Sequence, residues 1–113
     1  MHEMALCESI LDILQEQAKA QRFSRVRTVR LEVGALSCVE SEALRFNFEV
    51  VTRGSLAEGA GLELIEVAGE AWCLVCAQPV TVGGLLDACP LCGSHQTQVT
   101  GGDTLQIKEL EVD

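Results

Sequence analysis

At 113 residues, with 48% hydrophobic and 22% charged side chains, the chain has the composition of one folded domain, or one domain carrying a small module. That composition excludes a disordered tail, and the length excludes most large-fold enzymes. The 17 acidic against 8 basic side chains give a formal charge of -9, which disfavours phosphate backbones and anionic lipid surfaces and favours cations.

The start of the chain lacks the pattern of an export signal, because His2, Glu3, Glu8 and Asp12 interrupt any apolar run. No stretch approaches the roughly 18 consecutive apolar residues of a membrane span. A cytoplasmic protein in a reducing compartment is the expectation, with no membrane partner. Residues 4–20 predict an amphipathic helix, since Cys7, Ile10, Leu11, Leu14 and Ala18 recur at helical spacing opposite Glu8, Asp12, Gln15, Glu16 and Lys19. At Thr28 the period changes to two, and Val29, Leu31 and Val33 predict the buried face of a strand that Gly34 ends. Ser37-Cys38-Val39-Glu40 has the form of a capping box, and Leu44, Phe48 and Val51 predict a second helix stopped by Gly54.

Leu62 to Val67 reads as a second strand. Between Glu70 and Gln98 the amphipathic periodicities disappear, while four paired cysteines, two prolines and three glycines accumulate. This reads as a loop-rich module organised by something other than a core. Strand character returns at Thr104 to Val112, with a slip in phase between Ile107 and Leu110 that suggests a bulge or two-sided burial; this strand is expected to rejoin the first sheet. The expected fold is α+β: a small domain of two helices and a three-stranded sheet, formed by residues 1–69 plus 99–113, with a zinc-ribbon-like module inserted at residues 70–98.

Cys73-Leu74-Val75-Cys76 and Cys89-Pro90-Leu91-Cys92 are separated by 12 residues. Each pair sets two sulfurs on a tight turn, and two facing turns complete a tetrahedral S4 site of the kind that holds a structural Zn(II). Gly93 permits the positive φ such a turn often needs. A dithiol redox site needs only one such pair. A rubredoxin-like iron site uses similar turns but surrounds its metal with aromatics, whereas Trp72 is the one aromatic near these cysteines. Zinc ribbons often bind nucleic acid, yet no Lys or Arg occurs between Gly54 and Ile107, so phosphate contacts have no donors there.

The chain opens Met1-His2-Glu3. A histidine at position two is ordinarily a solvated residue. Here, however, the α-amine of Met1, the amide nitrogen and the imidazole of His2 can close two fused chelate rings, with Glu3 placed to add a donor. Nitrogen donors in a square plane suit Ni(II) or Cu(II). Such a site would weaken as pH falls through the titration of the imidazole and α-amine.

Met1-His2-Glu3-Met4-Ala5-Leu6-Cys7, Leu31-Glu32-Val33-Gly34-Ala35-Leu36-Ser37-Cys38-Val39-Glu40, Phe46-Asn47-Phe48-Glu49, Arg53-Gly54-Ser55, both Cys-x-x-Cys pairs and Leu105-Gln106-Ile107-Lys108-Glu109-Leu110-Glu111-Val112 together resemble the HypA/HybF family of nickel chaperones. The resemblance runs from residue 1 to 113. It implies that His2, with the backbone of Met1 and Glu3, is a nickel ligand, and that Cys73, Cys76, Cys89 and Cys92 hold a structural zinc. It further implies cooperation with the GTPase HypB and delivery of Ni(II) to the [NiFe]-hydrogenase large-subunit precursor, after that precursor has received its iron.

The other candidates have simpler readings. Cys7 is expected to be a buried small hydrophobe and Cys38 a structural thiol. Glu40 reads first as a helix cap and second as a neighbour of the nickel site. His95, three residues past Cys92, is a loop residue with an auxiliary metal-ligand role as the alternative. No Ser/His/acid set and no phosphate-binding loop is present, so the chain is expected not to be an enzyme. A zinc-ribbon protein adaptor that binds no nickel, and an iron electron carrier, are the rival functions; pairing of the chain with a second copy is left open.

Overall fold

The computed structural model describes residues 3–113. Helix α1 spans Glu3–Gln21 and is followed by strand β1 (Val26–Gly34), helix α2 (Ser41–Val51) and strand β2 (Gly61–Val67). Strands β3 (Gly69–Cys73), β4 (Gln78–Val82), β5 (Thr97–Gly101) and β6 (Leu105–Val112) complete the chain. The strands form two three-stranded sheets, in the orders β2-β1-β6 and β4-β3-β5. The terminal strand thus rejoins the first sheet as expected, and the α+β class holds.

The chain divides into two compact units. Unit 1 comprises residues 1–31, 39–64 and 107–113; unit 2 comprises residues 32–38 and 65–106. Unit 2 therefore extends beyond residues 70–98 on both sides.

In unit 1, the helical periodicity read from residues 4–20 places Cys7, Ile10 and Leu14 on the buried face of α1. This helix packs against α2, whose Leu44 and Phe48 are also buried. The Cys7 thiol donates to the Leu44 carbonyl oxygen at 3.5 Å, and burial, followed by the charge of Glu3, pushes its pKa up to about 11. Cys7 is thus the small buried hydrophobe expected of it. From β1, Val26, Val29 and Leu31 are buried while Arg27, Thr28 and Arg30 are not, the alternation of a half-buried strand. Arg30 pairs with Glu63 of β2 on one side and with Glu109 (3.4 Å) and Glu111 (3.0 Å) of β6 on the other, so one guanidinium ties the central strand to both neighbours.

Helix α2 corrects the capping-box reading. Its N-cap is Glu40, whose carboxylate accepts from the Glu42 N–H at 3.2 Å, and not Ser37. The Ser37 hydroxyl and N–H are both occupied by the Gly34 carbonyl oxygen, at 2.7 and 3.0 Å, in a turn closing β1. Cys38 follows with φ 60 and is exposed, so this thiol does not fill a core.

Unit 2 corrects a second expectation in part. Its cysteine region is loop-rich as expected, but the loops hang on a sheet in which β3 pairs antiparallel with both β4 and β5. A small core of Leu36, Ala71, Cys73, Val80, Val82 and Cys89 lies within it. The strand period is silent in the sequence because β3 buries Gly69, Ala71 and Cys73, small residues that carry no hydrophobic alternation, and turns Trp72 outward.

Candidate metal centre

Strand β3 delivers Cys73 to its end, and the chain turns at once through Leu74-Val75 to Cys76 before returning along β4. The second pair closes on itself in the same way. In each turn the N–H four residues after the first cysteine bonds back to that cysteine's carbonyl oxygen: Ala77 to Cys73 and Gly93 to Cys89, both at 2.8 Å. Both residues occupy the left-handed region, Ala77 at φ 53 and Gly93 at φ 77. Gly93 was legible as such a position. Ala77 was not, since alanine carries no signal for this conformation; only its matching place after a Cys-x-x-Cys pair betrays it.

The two turns bring the sulfurs of Cys73, Cys76, Cys89 and Cys92 within 4.8 Å of one another. Cys73 Sγ lies 3.7 Å from Cys92 Sγ, and Cys76 Sγ lies 4.0 Å from Cys89 Sγ. These separations far exceed the roughly 2.05 Å of a disulfide bond. A tetrahedral ion with metal–sulfur bonds of about 2.3 Å places its sulfurs about 3.8 Å apart, so the four thiols fit a zinc ion. Backbone donors support the charge that thiolate ligands carry: Cys76 N–H points to Cys73 Sγ at 3.3 Å and Leu91 N–H to Cys89 Sγ at 3.4 Å.

The thiols are not equivalent. Burial opposes ionisation of Cys89, but the Cys92 and Leu91 N–H groups, with the Cys73 and Cys92 thiols, outweigh it and lower its pKa to about 7. Cys76 goes the other way, to about 12, held protonated by its hydrogen bond with Cys92, then by burial and the remaining thiols. For Cys92 the Ser94 N–H and the Cys76 thiol favour the thiolate, yet burial and hydrogen bonding with Cys73 and Cys89 raise the pKa overall. Of the thiols whose surroundings shift them, Cys89 is the one favoured as thiolate, the form that binds a cation.

His95 does not belong to this cluster; it is exposed, and its carbonyl oxygen accepts from the Thr97 N–H at 2.9 Å. The proposed nickel ligands Met1 and His2 lie outside the described residues. Glu3 opens α1, and its carboxylate accepts from the Glu40 N–H at 3.3 Å, which brings the first turn of α1 to the start of α2 within unit 1. Among the described residues, no helix is long and apolar enough to cross a membrane.

The model of the family described as hydrogenase/urease nickel incorporation, metallochaperone, HypA matches residues 1–112. The chain belongs to the HypA family. Hydrogenase maturation factor HypA of Azotobacter chroococcum is 59% identical over 113 residues, and that of Alkalilimnicola ehrlichii is 60% identical over 113 residues; in both cases the alignment covers all of each chain. The solution structure of the nickel metallochaperone HypA from Helicobacter pylori is similar in fold, with a TM-score of 0.74 over 99% of this chain and 97% of that one at 23% identity. HypA proteins are nickel metallochaperones of hydrogenase maturation and not enzymes.

Proposed function

We propose that this HypA-family chain carries Ni(II) as cargo at its amino terminus and hands it on during maturation of [NiFe]-hydrogenase, while Cys73, Cys76, Cys89 and Cys92 hold a structural Zn(II). The observation that carries the reading is the family match from residue 1 to 112, which includes the opening Met1-His2-Glu3. His2 supplies the imidazole and, with Met1 and Glu3, the nitrogen donors of a site suited to Ni(II). A terminal site with few protein ligands can surrender its ion by stepwise ligand replacement, whereas an ion enclosed by four thiolates stays in place. The division of labour follows the proposed segments: nickel with residues 1–69 plus 99–113, zinc with residues 70–98. The partners of this reading are the GTPase HypB and the hydrogenase large-subunit precursor, and its place is the cytoplasm. His95 remains a candidate auxiliary ligand.

Nickel stoichiometry measured on protein with an authentic amino terminus tests the reading. His2→Ala should abolish nickel binding and leave zinc content and folding unchanged; unchanged nickel affinity would overturn the site. One residue added before Met1 should act like His2→Ala, because it displaces the α-amine from the chelate. A chain that served only as a zinc-ribbon adaptor would be indifferent to that extension. Cys89→Ala should lose zinc, and full zinc retention would contradict the four-sulfur site.

A further inference from the structure

Thiols as close as these four can react with one another as well as share an ion. Two contacts run across the turns: Cys73 Sγ of the first turn lies 3.7 Å from Cys92 Sγ of the second, and Cys76 Sγ lies 4.0 Å from Cys89 Sγ. Each contact joins a thiol that solvent reaches to one that it barely reaches. Cys92 is exposed and Cys76 partly so, whereas Cys73 has no exposed surface and Cys89 only 2%. An accessible sulfur meets a dissolved oxidant first, and a buried neighbour is placed to resolve the product. The buried pair is also the fixed pair: Cys73 and Cys89 are core side chains of unit 2, and their sulfurs accept the Cys76 and Leu91 N–H groups. Closing each contact to the roughly 2.05 Å of a disulfide therefore asks the outer sulfurs, those of Cys92 and Cys76, to move inward.

We propose that the cluster is a peroxide-sensitive switch, in which one disulfide between Cys73 and Cys92 and another between Cys76 and Cys89 replace the metal. The switch rests on the zinc reading above for what is released, and on the sulfur geometry for which thiols join. The Cys92 thiolate attacks one oxygen of hydrogen peroxide; an S–O bond forms, the O–O bond breaks, and the hydroxide that leaves takes up a proton to become water. The Cys73 thiolate then attacks the sulfur of this sulfenic acid, forming the S–S bond and expelling a second hydroxide, which also becomes water. Two sulfurs have lost two electrons, and one peroxide has become two waters. A second peroxide oxidises Cys76 and Cys89 in the same way. With all four thiolate charges gone, Zn(II) is released, its oxidation state unchanged. Bonds across the turns close a longer stretch of chain than bonds within the Cys-x-x-Cys pairs would, and so restrain the unfolded chain more. They also keep the end of β3 tied to the second turn, so the small core outlives its ion, and a dithiol reductant reopens the site.

The zinc-loaded full chain is treated with hydrogen peroxide, and zinc release to a chromogenic chelator is followed beside the loss of thiols. The two should run together, with about two peroxides consumed per ion, and dithiothreitol with added zinc should restore the starting state. Cleavage on the amino side of Asp87 separates Cys73 and Cys76 from Cys89 and Cys92. Without reductant the two fragments should stay joined, and tandem mass spectrometry should pair Cys73 with Cys92 and Cys76 with Cys89. Cys38, which is exposed but outside the cluster, should enter no disulfide. Amide exchange at Ala71, Val80 and Val82 should stay slow in the oxidised chain and quicken in reduced chain stripped of zinc. Protein that holds no zinc before peroxide is added would overturn the zinc reading, and the same fragment map would still decide the sulfur pairing. Fragments that separate, pairing of Cys73 with Cys89, a disulfide to Cys38, or zinc and thiols that both survive peroxide would each overturn the switch.

Discussion

Arg30 occupies a central strand on the face that β1 leaves unburied, and three carboxylates from two neighbouring strands converge on it. Removing the cation leaves Glu63, Glu109 and Glu111 facing one another, which is why its loss should exceed that of an ordinary surface pair. Glu111 reports on the same group: the Thr28 hydroxyl, then Arg30, hold its carboxyl below the usual carboxylate range. A lowered folded-state pKa contributes stability in full above the unfolded value, about 4.3, and that contribution is lost as pH falls through the folded value. Arg30→Gln should therefore lower the urea midpoint at neutral pH. The gap between variant and parent should narrow below about pH 4 and at high salt. Urea titrations at two pH values and two salt concentrations check both dependences; a gap that stays constant would show that the guanidinium acts by packing and not by charge.

Elements differ in how tightly their neighbours confine them. Leu14, with no exposed surface on α1, should cost about 2–5 kcal/mol when truncated to Ala, measured by denaturant unfolding. Two glycines with the same left-handed backbone separate conformation from space. Gly93 at φ 77 has nothing within 4 Å of an added Cβ, so Gly93→Ala should cost only about 1 kcal/mol and keep the metal turn. Gly102 at φ 74 would drive a Cβ into the Ala68 carbonyl and to 2.7 Å from Gly69 Cα, so Gly102→Ala should cost about 3 kcal/mol or more. Unfolding midpoints of the two variants, taken side by side, test the difference. The same contrast explains what could be read in advance. Helices α1 and α2 and strand β1 bury large aliphatic side chains, whose spacing announces the period. Strand β3 buries Gly69, Ala71 and Cys73, and its period is silent. Ser37 matched a capping sequence, but it lies in the turn that closes β1, where its hydroxyl donates to the Gly34 carbonyl oxygen, and α2 starts only at Ser41, a boundary that no linear pattern records.

Over the whole molecule, the two units rest on different supports. Unit 1 buries aliphatic side chains of two helices and a strand, whereas two of the six core side chains of unit 2 are thiols of the sulfur cluster. With zinc held there as proposed, chelation should accelerate amide hydrogen exchange at Ala71, Val80 and Val82 while leaving Leu14 and Leu44 protected. Exchange measured before and after chelation checks this, and undisturbed protection in unit 2 would show that its core stands without metal. The four sulfurs were legible from spacing alone. The nickel site proposed for the start of the chain rests chiefly on resemblance, because a chelate made from an α-amine and backbone nitrogens would leave no more trace in the sequence than one histidine. The separation of cations from the sulfur cluster also has an analytical consequence. Trypsin finds no site between Arg53 and Lys108, so residues 54–108 leave as one peptide with all four paired cysteines. Cys7 travels on the peptide ending at Lys19 and Cys38 on residues 31–45. A single digest after alkylation therefore weighs the buried thiol, the exposed thiol and the clustered thiols on three separate masses.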